Sequence, residues 1–316
     1  MQFFRGVPMH ASTSTVLTIG NFDGVHFGHR ALLARLVAKA REIALPATVL
    51  SFEPHPREFF TPEQAPPRLS SLREKLNLLE ECGVDRVYVC RFDHRMATLE
   101  AEQFIENILV RGLGVRHLLI GDDFRFGKMR GGDFEMLQRA GKEFRFAVEA
   151  MHTVDLHGER VSSSAIRETL ADGDLEHAAR LLGRPYGIAG RVVHGEKIGR
   201  TLGFPTANIA LKRKRLALTG VFSVTVTGIA ATPIKGAASL GVRPTLADGL
   251  KPVLEVHLLD FERSIYGAHV TVNFLHKLRE EQKYESLDAL KAQIALDVVS
   301  VRGYFDAQSN GGFTHD

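Results

Sequence analysis

The first 185 residues alternate short apolar runs with amphipathic stretches, and this alternation stops near residue 186. Val16–Ile19 is an apolar run that ends at Gly20, and the segment 29–44 then carries apolar residues at helical spacing. Further strand-like and helix-like segments follow in the same order as far as Ala150. Strands that alternate with helices of about 10–15 residues predict an α/β fold with a doubly wound parallel sheet.

Beyond residue 186 the apolar runs are shorter and more closely spaced. Turn residues separate alternating runs at 188–193, 222–226, 237–240, 253–259 and 270–274, and a helical pattern closes the sequence at 287–301. These features predict a small antiparallel β-barrel with a C-terminal helix and a loose tail over 308–316. The 316 residues therefore divide into two expected domains, 1–185 and 186–316.

The amino-acid composition excludes a disordered or fibrous protein. Hydrophobic residues make up 44% and charged residues 24%, as in a globular chain. A net charge of only +3 is not by itself a sign of nucleic-acid binding. The basic run Lys212–Arg215 is expected to be a solvated loop or a phosphate-attracting rim rather than a nucleic-acid site. The uncharged segment 216–234 is interrupted by Thr, Ser, Gly and Pro, and Val224–Thr227 within it alternates with period two, which favours a strand over a membrane span. Cys82 and Cys90 are expected to be buried free thiols in a reducing cytosol.

The turn after the first strand carries the first candidate site, because residues 20–30 read GNFDGVHFGHR. His26 and His29 lie three apart at the start of a helix, so both can face one point. The free N–H groups there favour an anion, and Gly28 lets a phosphate approach the backbone. We expect nucleotidyl transfer, in which the protein positions groups and stabilises negative charge. A zinc site and a purely structural histidine pair are the alternatives.

Four stretches resemble the HxGH nucleotidyltransferases in the form found in bacterial bifunctional riboflavin kinase/FAD synthetases: GNFDGVHFGH (20–29), FEPHP (52–56), GDDFRFGKMRGGD (121–133) and VSSSAIR (161–167). The resemblance implies that FMN attacks ATP to give FAD, with His26, His29 and Arg167 as catalytic residues. It implies that ATP and its phosphates are bound by Gly20, Asn21, Phe22, Gly28, Ser163 and Ser164. It implies that the flavin is bound by His55, Asp123, Phe124, Arg125 and Phe126.

The same residues also allow plainer interpretations. The serines at 162–164 precede an apolar helix and could act only as N-caps, and Phe124 and Phe126 could belong to the core. Arg167 adds a forked cation that capping does not require.

The second candidate site lies in residues 190–209, which read GRVVHGEKIGRTLGFPTANI. GEKIGRT is one residue too short for a P-loop and has Arg in place of Lys. Thr206 and Asn208 are two apart in an extended segment, so they project to one face, and their oxygens suit Mg²⁺. On composition alone, a simple turn is the alternative.

GRTLGFPTAN (199–208) resembles the riboflavin kinase family. The resemblance implies that Thr206 and Asn208 bind Mg²⁺ and ATP, and that Gly195, Lys197 and Gly199 belong to a loop over the phosphates. It also implies that Glu255, in LEVHLLDFERSIYG (254–267), is the catalytic carboxylate, although a solvent-facing strand residue is the plainer interpretation. The chain departs from the family pattern at Ser239, where Asn is common, and at 262–265.

The resemblance covers about residues 15–304 and predicts a bifunctional transferase that makes FMN and then FAD. The expected partners are riboflavin, FMN and ATP, with Mg²⁺ as cofactor and without nucleic acid or membrane. The chain is expected to be a cytoplasmic monomer or weak homo-oligomer. One alternative is an HxGH enzyme acting on pantetheine phosphate or nicotinamide mononucleotide, which would not require the PTAN barrel. Another is a flavin-binding protein without catalysis, against which the intact candidate residues argue.

Overall fold

The computed structural model describes residues 1–121, 123–151, 155–156, 158–195, 198–245 and 249–310, which form two compact units. The first unit holds Met1–Pro66 and Leu72–Ser163, and the second holds Pro67–Ser71 and the chain from Ser164 onward. The compact units therefore divide before the two short helices that precede residue 186. The functional boundary expected at 185/186 stays a prediction.

The first unit is built on a six-stranded parallel sheet. Its strands are β1 (Gln2–Arg5), β2 (Thr15–Ile19), β3 (Ala47–Glu53), β4 (Arg86–Arg91), β5 (Val115–Gly121) and β6 (Ala147–Met151), in the order β1-β4-β3-β2-β5-β6. From β2, the chain adds β3 and β4 on one side, and β5 and β6 lie on the other side. In such sheets ligands bind at the carboxyl ends of the strands where the direction changes, here β2 and β5. A separate pair of short strands, β7 (Asp155–Leu156) and β8 (Glu159–Arg160), follows the sheet.

Helices cover both faces of this sheet, as a doubly wound fold requires. They are α1 (Phe27–Glu42), α2 (Pro56–Phe60), α3 (Leu72–Glu81), α4 (His94–Ala97), α5 (Ala101–Gln103) and α6 (Phe134–Phe144), with a π-helix at Phe104–Gly112 and a 3₁₀ turn at Lys128–Arg130. Two core clusters result: one contains Leu33 and Leu36 of α1 with Leu79 of α3, and the other contains Phe104 and Leu137. The predicted doubly wound sheet is confirmed.

The second unit is built on a closed antiparallel barrel, preceded by helices α7 (Ser163–Asp172) and α8 (Leu175–Leu182). Its strands are β9 (Tyr186–Val193), β10 (Thr206–Ala210), β11 (Gly220–Thr227), β12 (Ile234–Thr245), β13 (Gly249–Leu258) and β14 (His269–Arg279), with α9 (Ile198–Thr201) between the first two. The strand order is β10-β13-β12-β11-β14-β9. Alternate side chains such as Ile188, Phe222, Leu254 and Phe274 are buried, so the predicted barrel is confirmed.

The C-terminal helix α10 (Leu287–Asn310) is longer than the sequence pattern predicts. Val301 and Phe305 are buried in a cluster with Leu259, and this packing extends the helix beyond 301. The expectation of a loose tail is therefore wrong for 308–310, and residues 311–316 lie outside the described residues.

The basic run Lys212–Arg215 is not wholly solvated. Arg213 is 8% exposed, and its Nη1 donates a hydrogen bond of 2.8 Å to the hydroxyl of Tyr186. The solvated-loop expectation is thus wrong for this arginine, because its guanidinium pairs with a buried acceptor at the start of the barrel.

Cys82 and Cys90 are free thiols, and Cys90 is buried as expected, but the expectation of burial is wrong for Cys82, which is only half-buried. Burial raises the pKa of the Cys90 thiol to about 11. In the described part of the chain, every helix is too short or too polar to span a bilayer.

Candidate functional site

The loop between β2 and α1 stacks two histidine rings on each other. His26 is the N-cap of α1, and its Nδ1 accepts a hydrogen bond of 3.3 Å from the backbone N–H of His29. The two ring centroids are 3.6 Å apart, with an angle of 18° between the ring planes. The spacing-based prediction that both histidines face one point at a helix start agrees with this geometry. A neutral His26 carries its proton on Nε2, because Nδ1 is already an acceptor.

The backbone of this loop is held in an unfavourable conformation. Phe22 has φ of 49° and Val25 has φ of 39°, in the left-handed region that disfavours a β-branched residue. Both side chains are buried, at 1% and 0% exposure, so core packing holds the loop in place. Such strain persists where surrounding structure over-determines a functional geometry.

A cavity of about 300 Å³ lies beside the histidine pair, at the carboxyl ends of β2 and β5. The sequence identified more than half of its lining, namely Gly20, Phe22, His26, Gly28, His29, Asp123, Phe124 and Ser163. Ile19, Gly121, Met151 and Arg160 lie in the same wall. The cavity is therefore lined by the N-terminus of α1, the segment after β5 and the start of α7.

The electrostatics of the cavity keep His29 uncharged. Burial lowers the pKa of His29 well below its ordinary value of 6.5, and repulsion from Lys75, and from His26 when that ring is protonated, lowers it further. In the described residues, three buried polar atoms on β2 and the following segment lack a hydrogen-bond partner: Thr18 Oγ1, Asn21 Oδ1 and His29 Nδ1. A buried polar atom without a partner is costly, so the His29 atom on the cavity wall indicates a place for a ligand or water.

The serine-rich stretch 162–164 both contributes to the lining of the cavity and makes a hydrogen bond that stabilises the fold. The Ser163 hydroxyl donates a hydrogen bond of 3.0 Å to the backbone carbonyl of Asp23, which ties the start of α7 to the histidine loop. Ser164 is exposed, and Arg167 donates from Nε to the carbonyl of Pro67 at 2.7 Å. Ser164 and Arg167 are not among the residues that line the cavity.

Three of the residues expected to bind flavin are not among those that line the cavity, and each has a contact within the protein. His55 caps α2, since its Nδ1 accepts from the backbone N–H of Arg57 at 3.1 Å. Phe126 is buried in the core against Phe104, with ring centroids 5.4 Å apart. Arg125 is exposed and donates to the carbonyl of Phe124. Their role in flavin binding stays a prediction.

Sequence reasoning missed Arg160. Its Nη2 lies 3.2 Å from Asp123 Oδ2, and both residues line the cavity. Both side chains are more than half exposed, so the ion pair contributes little to stability and leaves a cation at the cavity wall. The only sequence signal was its position directly before VSSSAIR.

The candidate kinase residues lie side by side on the barrel. Asn208 on β10 is directly opposite Glu255 on β13, and Thr206 is opposite His257. Directly opposite residues share a face, with Cβ atoms about 4.5–5.5 Å apart. Leu254 and Val256 fill the barrel interior at 0% and 1% exposure, so Asn208 and Glu255 project outward.

A glycine-containing loop lies against the β10 residues. A Cβ on Gly195 would overlap the side-chain amide of Asn208, and a Cβ on Gly199 would overlap the carbonyl of Phe204 and lie 3.3 Å from Thr206 Oγ1. Only glycine permits this approach of the loop backbone. Lys197, also expected in this loop, lies outside the described residues.

Glu255 is held by a residue that the sequence did not single out. Arg243 on β12 places Nη2 2.7 Å from Glu255 Oε2. The segment 262–265, where the sequence differs from the family pattern, has no regular secondary structure. Its Arg263 donates a hydrogen bond of 2.9 Å to the carbonyl of Ile229.

The donor set on β10 fits a hard cation that arrives with phosphate. The Thr206 hydroxyl and the Asn208 amide oxygen are oxygen donors of the kind Mg²⁺ prefers, and they are neutral. Across the described ranges, the structure has no group of three or more His, Cys, Asp or Glu side chains placed to hold a metal ion. A magnesium ion would therefore take its other ligands from phosphate oxygens and water.

Comparison with known proteins decides the family. A family model described as FAD synthetase matches residues 9–165, and one described as riboflavin kinase matches residues 182–305. The bifunctional riboflavin kinase/FMN adenylyltransferase of Pseudomonas fluorescens is 53% identical over 306 residues, covering 96% of this chain and 97% of that protein. The chain belongs to this bifunctional family. The protein with the same description from Escherichia coli strain K12 is 52% identical over 308 residues, covering 96% and 98%.

A solved structure has the same fold over nearly the whole chain. It is described as a macrolide-efflux protein from Streptococcus pneumoniae, with a TM-score of 0.81, 30% identity, and coverage of 96% of this chain and 99% of that one. Both enzymatic domains of the family are thus present here, the FAD synthetase domain first and the riboflavin kinase domain second. A kinase and an adenylyltransferase both consume ATP, so ATP is a co-substrate.

Proposed function

We propose that the barrel phosphorylates riboflavin with ATP to give FMN, and that the cavity of the first unit adenylylates FMN to give FAD and pyrophosphate. One observation carries this proposal. Each set of candidate residues lies within the stretch of chain that matches the corresponding enzyme: the His26–His29 pair in residues 9–165, and the Asn208–Glu255 pair in residues 182–305.

In the adenylylation step, the phosphate of FMN attacks the α-phosphorus of ATP. His26 donates from Nε2 and the N-terminus of α1 contributes its free N–H groups, so negative charge on the α-phosphate is stabilised as the bond to pyrophosphate breaks. His29 stacks on His26 and, being neutral, adds a second donor or acceptor. We assign the triphosphate to Ser163, Ser164 and Arg167, and the nucleotide to Gly20, Asn21, Phe22 and Gly28. We assign the flavin to His55, Asp123, Phe124, Arg125 and Phe126.

In the kinase step, Glu255 accepts the proton of the primary ribityl hydroxyl as that oxygen attacks the γ-phosphorus, and the bond from the γ-phosphorus to the bridging oxygen breaks so that ADP leaves. Arg243 fixes one carboxylate oxygen and leaves the other for the substrate. Thr206 and Asn208 would hold Mg²⁺, which when bound neutralises charge on the phosphate oxygens. The loop that contains Gly195, Lys197 and Gly199 covers the phosphates, and its close approach to Asn208 and Thr206 supports that role.

The proposal includes the setting in which the enzyme works. Its partners are the small molecules riboflavin, FMN and ATP, without nucleic acid or membrane, and it acts as a monomer or weak homo-oligomer. A cytoplasmic location is supported by the two free thiols, since a reducing compartment keeps cysteines in that state.

Product analysis of two single variants tests the proposal. Purified protein is incubated with riboflavin, ATP and Mg²⁺, and the flavins are separated by chromatography. We expect the wild type to form FMN and then FAD, His29→Ala to stop at FMN, and Glu255→Gln to form neither from riboflavin but FAD from added FMN. Loss of kinase activity in His29→Ala with FAD formation intact would contradict the assignment of the two sites.

A further inference from the structure

Ser239 on β12 extends the row of polar residues that begins at Asn208. The register places Asn208 opposite Glu255 and Glu255 opposite Ser239, so the three residues lie side by side on β10, β13 and β12. Ala238 and Leu240 are buried in the barrel interior, and Ser239 therefore shares the outer face with Glu255. Neighbouring strands are about 4.8 Å apart, so the row spans about 10 Å.

Ser239 is paired with a second carboxylate. Its hydroxyl donates a hydrogen bond of 2.6 Å to Oε1 of Glu281, an exposed residue just after β14. The Glu281 carboxylate lies against the backbone of Gly241, where a Cβ would overlap it. Gly241 is two residues from Ser239 on the same face of β12, so the carboxylate occupies the space that a side chain there would fill.

This pair lies on the side of Glu255 that faces away from the proposed phosphate ligands. A substrate with its phosphorylated oxygen at Glu255, and with the phosphates at Asn208, continues across β12 toward Ser239. The atoms next to the reacting carbon therefore meet a hydroxyl and a carboxylate. A carboxylate accepts about four hydrogen bonds, of which Ser239 supplies one, so Glu281 has capacity for further hydroxyl donors.

We propose that Ser239 and Glu281 bind the secondary hydroxyls of the ribityl chain beside the phosphorylated carbon. The proposal rests on riboflavin as the substrate of the barrel. It gives a function to one departure from the family pattern, since the residue that commonly is Asn is here a serine tied to a carboxylate. A site built to bond hydroxyls discriminates strongly against an acceptor that lacks them, because its polar groups are then left unpaired.

Kinetics of matched variants test this inference. For Ser239→Ala and Glu281→Gln we expect the KM for riboflavin to rise about tenfold, with the KM for ATP changed less than about twofold, because the lost bonds involve a charged acceptor. Ser239→Thr keeps the hydroxyl and is expected to keep the riboflavin KM. Glu280→Gln is the matched control: it removes the same charge one residue away, where the carboxylate pairs with Lys277 at 2.5 Å, and it should leave both KM values unchanged.

A flavin that lacks the hydroxyl next to the primary alcohol sharpens the test. With this acceptor we expect the wild type and Ser239→Ala to have the same KM, since the bond that Ser239 makes is absent in both cases. An unchanged riboflavin KM in Glu281→Gln, or an equal rise in the KM for ATP, would overturn the inference. If the wild type forms no FMN from riboflavin, the proposed function fails instead. Should Ser239→Ala not fold, the exposed Glu281→Gln variant decides.

Discussion

At the scale of single residues, His29 makes the stability of the protein depend on pH. Burial, with added repulsion from His26 and Lys75, holds the pKa of His29 well below 6.5 in the folded state. The unfolded chain has the ordinary pKa, so it binds more protons between the two values, and the folded state loses stability as pH falls below about 6.5. Above that value both states carry a neutral ring and the penalty is absent.

We therefore expect the Tm of the wild type to fall more steeply between about pH 7 and pH 5 than the Tm of His29→Gln, which cannot be protonated. Thermal unfolding followed by circular dichroism over that range measures the difference. Equal slopes for the two proteins would show that His29 is not the group that is kept neutral.

A substitution at Gly28 is expected to affect the stability of helix α1 and the activity of the cavity in opposite directions. A Cβ at this position would meet only ordinary contacts, at 3.4 Å from the His26 ring and 3.7 Å from the Val161 carbonyl, but it would project into the cavity wall. Alanine favours a helix over glycine by about 0.5–1 kcal/mol. We expect Gly28→Ala to keep or raise the Tm while FAD formation from FMN falls at least about tenfold.

Gly303→Ala is the matched control, because Gly303 lies in the helix α10 with open space around it. This variant should gain similar stability and keep both activities. FAD formation that survives in Gly28→Ala would mean that no phosphate approaches this part of α1.

Single residues were predictable where the signal was local. The spacing of His26 and His29 indicated a shared site because both lie in one helical turn. Arg160 and Arg243 were missed, since their partners Asp123 and Glu255 are 37 and 12 residues away and only the fold brings them together. Phe126 shows the opposite case: its alternation with Phe124 suggested a shared role, yet one ring lines the cavity and the other is core.

At the scale of elements, one ion pair fixes the closing helix to the barrel. Arg279 at the end of β14 donates to both carboxylate oxygens of Asp297 on α10, at 2.9 and 2.6 Å. The Asp297 side chain is 8% exposed and that of Arg279 is 22% exposed. The hydrogen bond to Asp297 raises the pKa of Arg279, so the guanidinium stays charged. Removing one partner of a buried pair leaves the other charge uncompensated.

We expect Asp297→Asn to lower the free energy of unfolding by about 2–4 kcal/mol. Asp260→Asn is the matched control, since Asp260 also pairs with both nitrogens of an α10 arginine, Arg302, but is 74% exposed. That variant should lose far less stability than Asp297→Asn, because an ion pair in solvent contributes little. Urea unfolding of both variants measures the two free energies of unfolding. Equal decreases would show that the Arg279–Asp297 pair stabilises the protein no more than the exposed pair does.

The period of the hydrophobic pattern predicts which segments are helices or strands, but it does not predict which strands pair. The period of two in the second half predicted strands, and the outer position of Glu255 was foreseeable as the solvent-facing alternative. Closure of the barrel through β9 and β14 joins segments about 80 residues apart in sequence, which no local pattern encodes. The strand β1 was also missed, because all four of its residues are exposed and it lacks the buried apolar face that marks a strand.

At the scale of the whole molecule, the two proposed reactions use separate sets of residues. Every described residue that lines the cavity belongs to the first compact unit, whereas Thr206, Asn208 and Glu255 belong to the second. The change of hydrophobic pattern near residue 186 predicts two separate domains, and the motifs within each of them indicate two separate reactions. The pair His26 and His29 belongs to the first unit and the pair Asn208 and Glu255 to the second, whereas Ser164 and Arg167, which we assign to the triphosphate, fall in the second unit.

This separation predicts that two defective chains complement each other. His29→Ala keeps the kinase pair and Glu255→Gln keeps the histidine pair, so FMN released by the first variant can diffuse to the second. We expect an equimolar mixture to convert riboflavin to FAD after a lag during which FMN accumulates, with a rate that falls on dilution because the transfer between chains is bimolecular. Chromatography of the flavins over time measures the lag. FMN that accumulates without FAD in the mixture, while Glu255→Gln alone still adenylylates added FMN, would mean that the product of the barrel stays on the chain that made it.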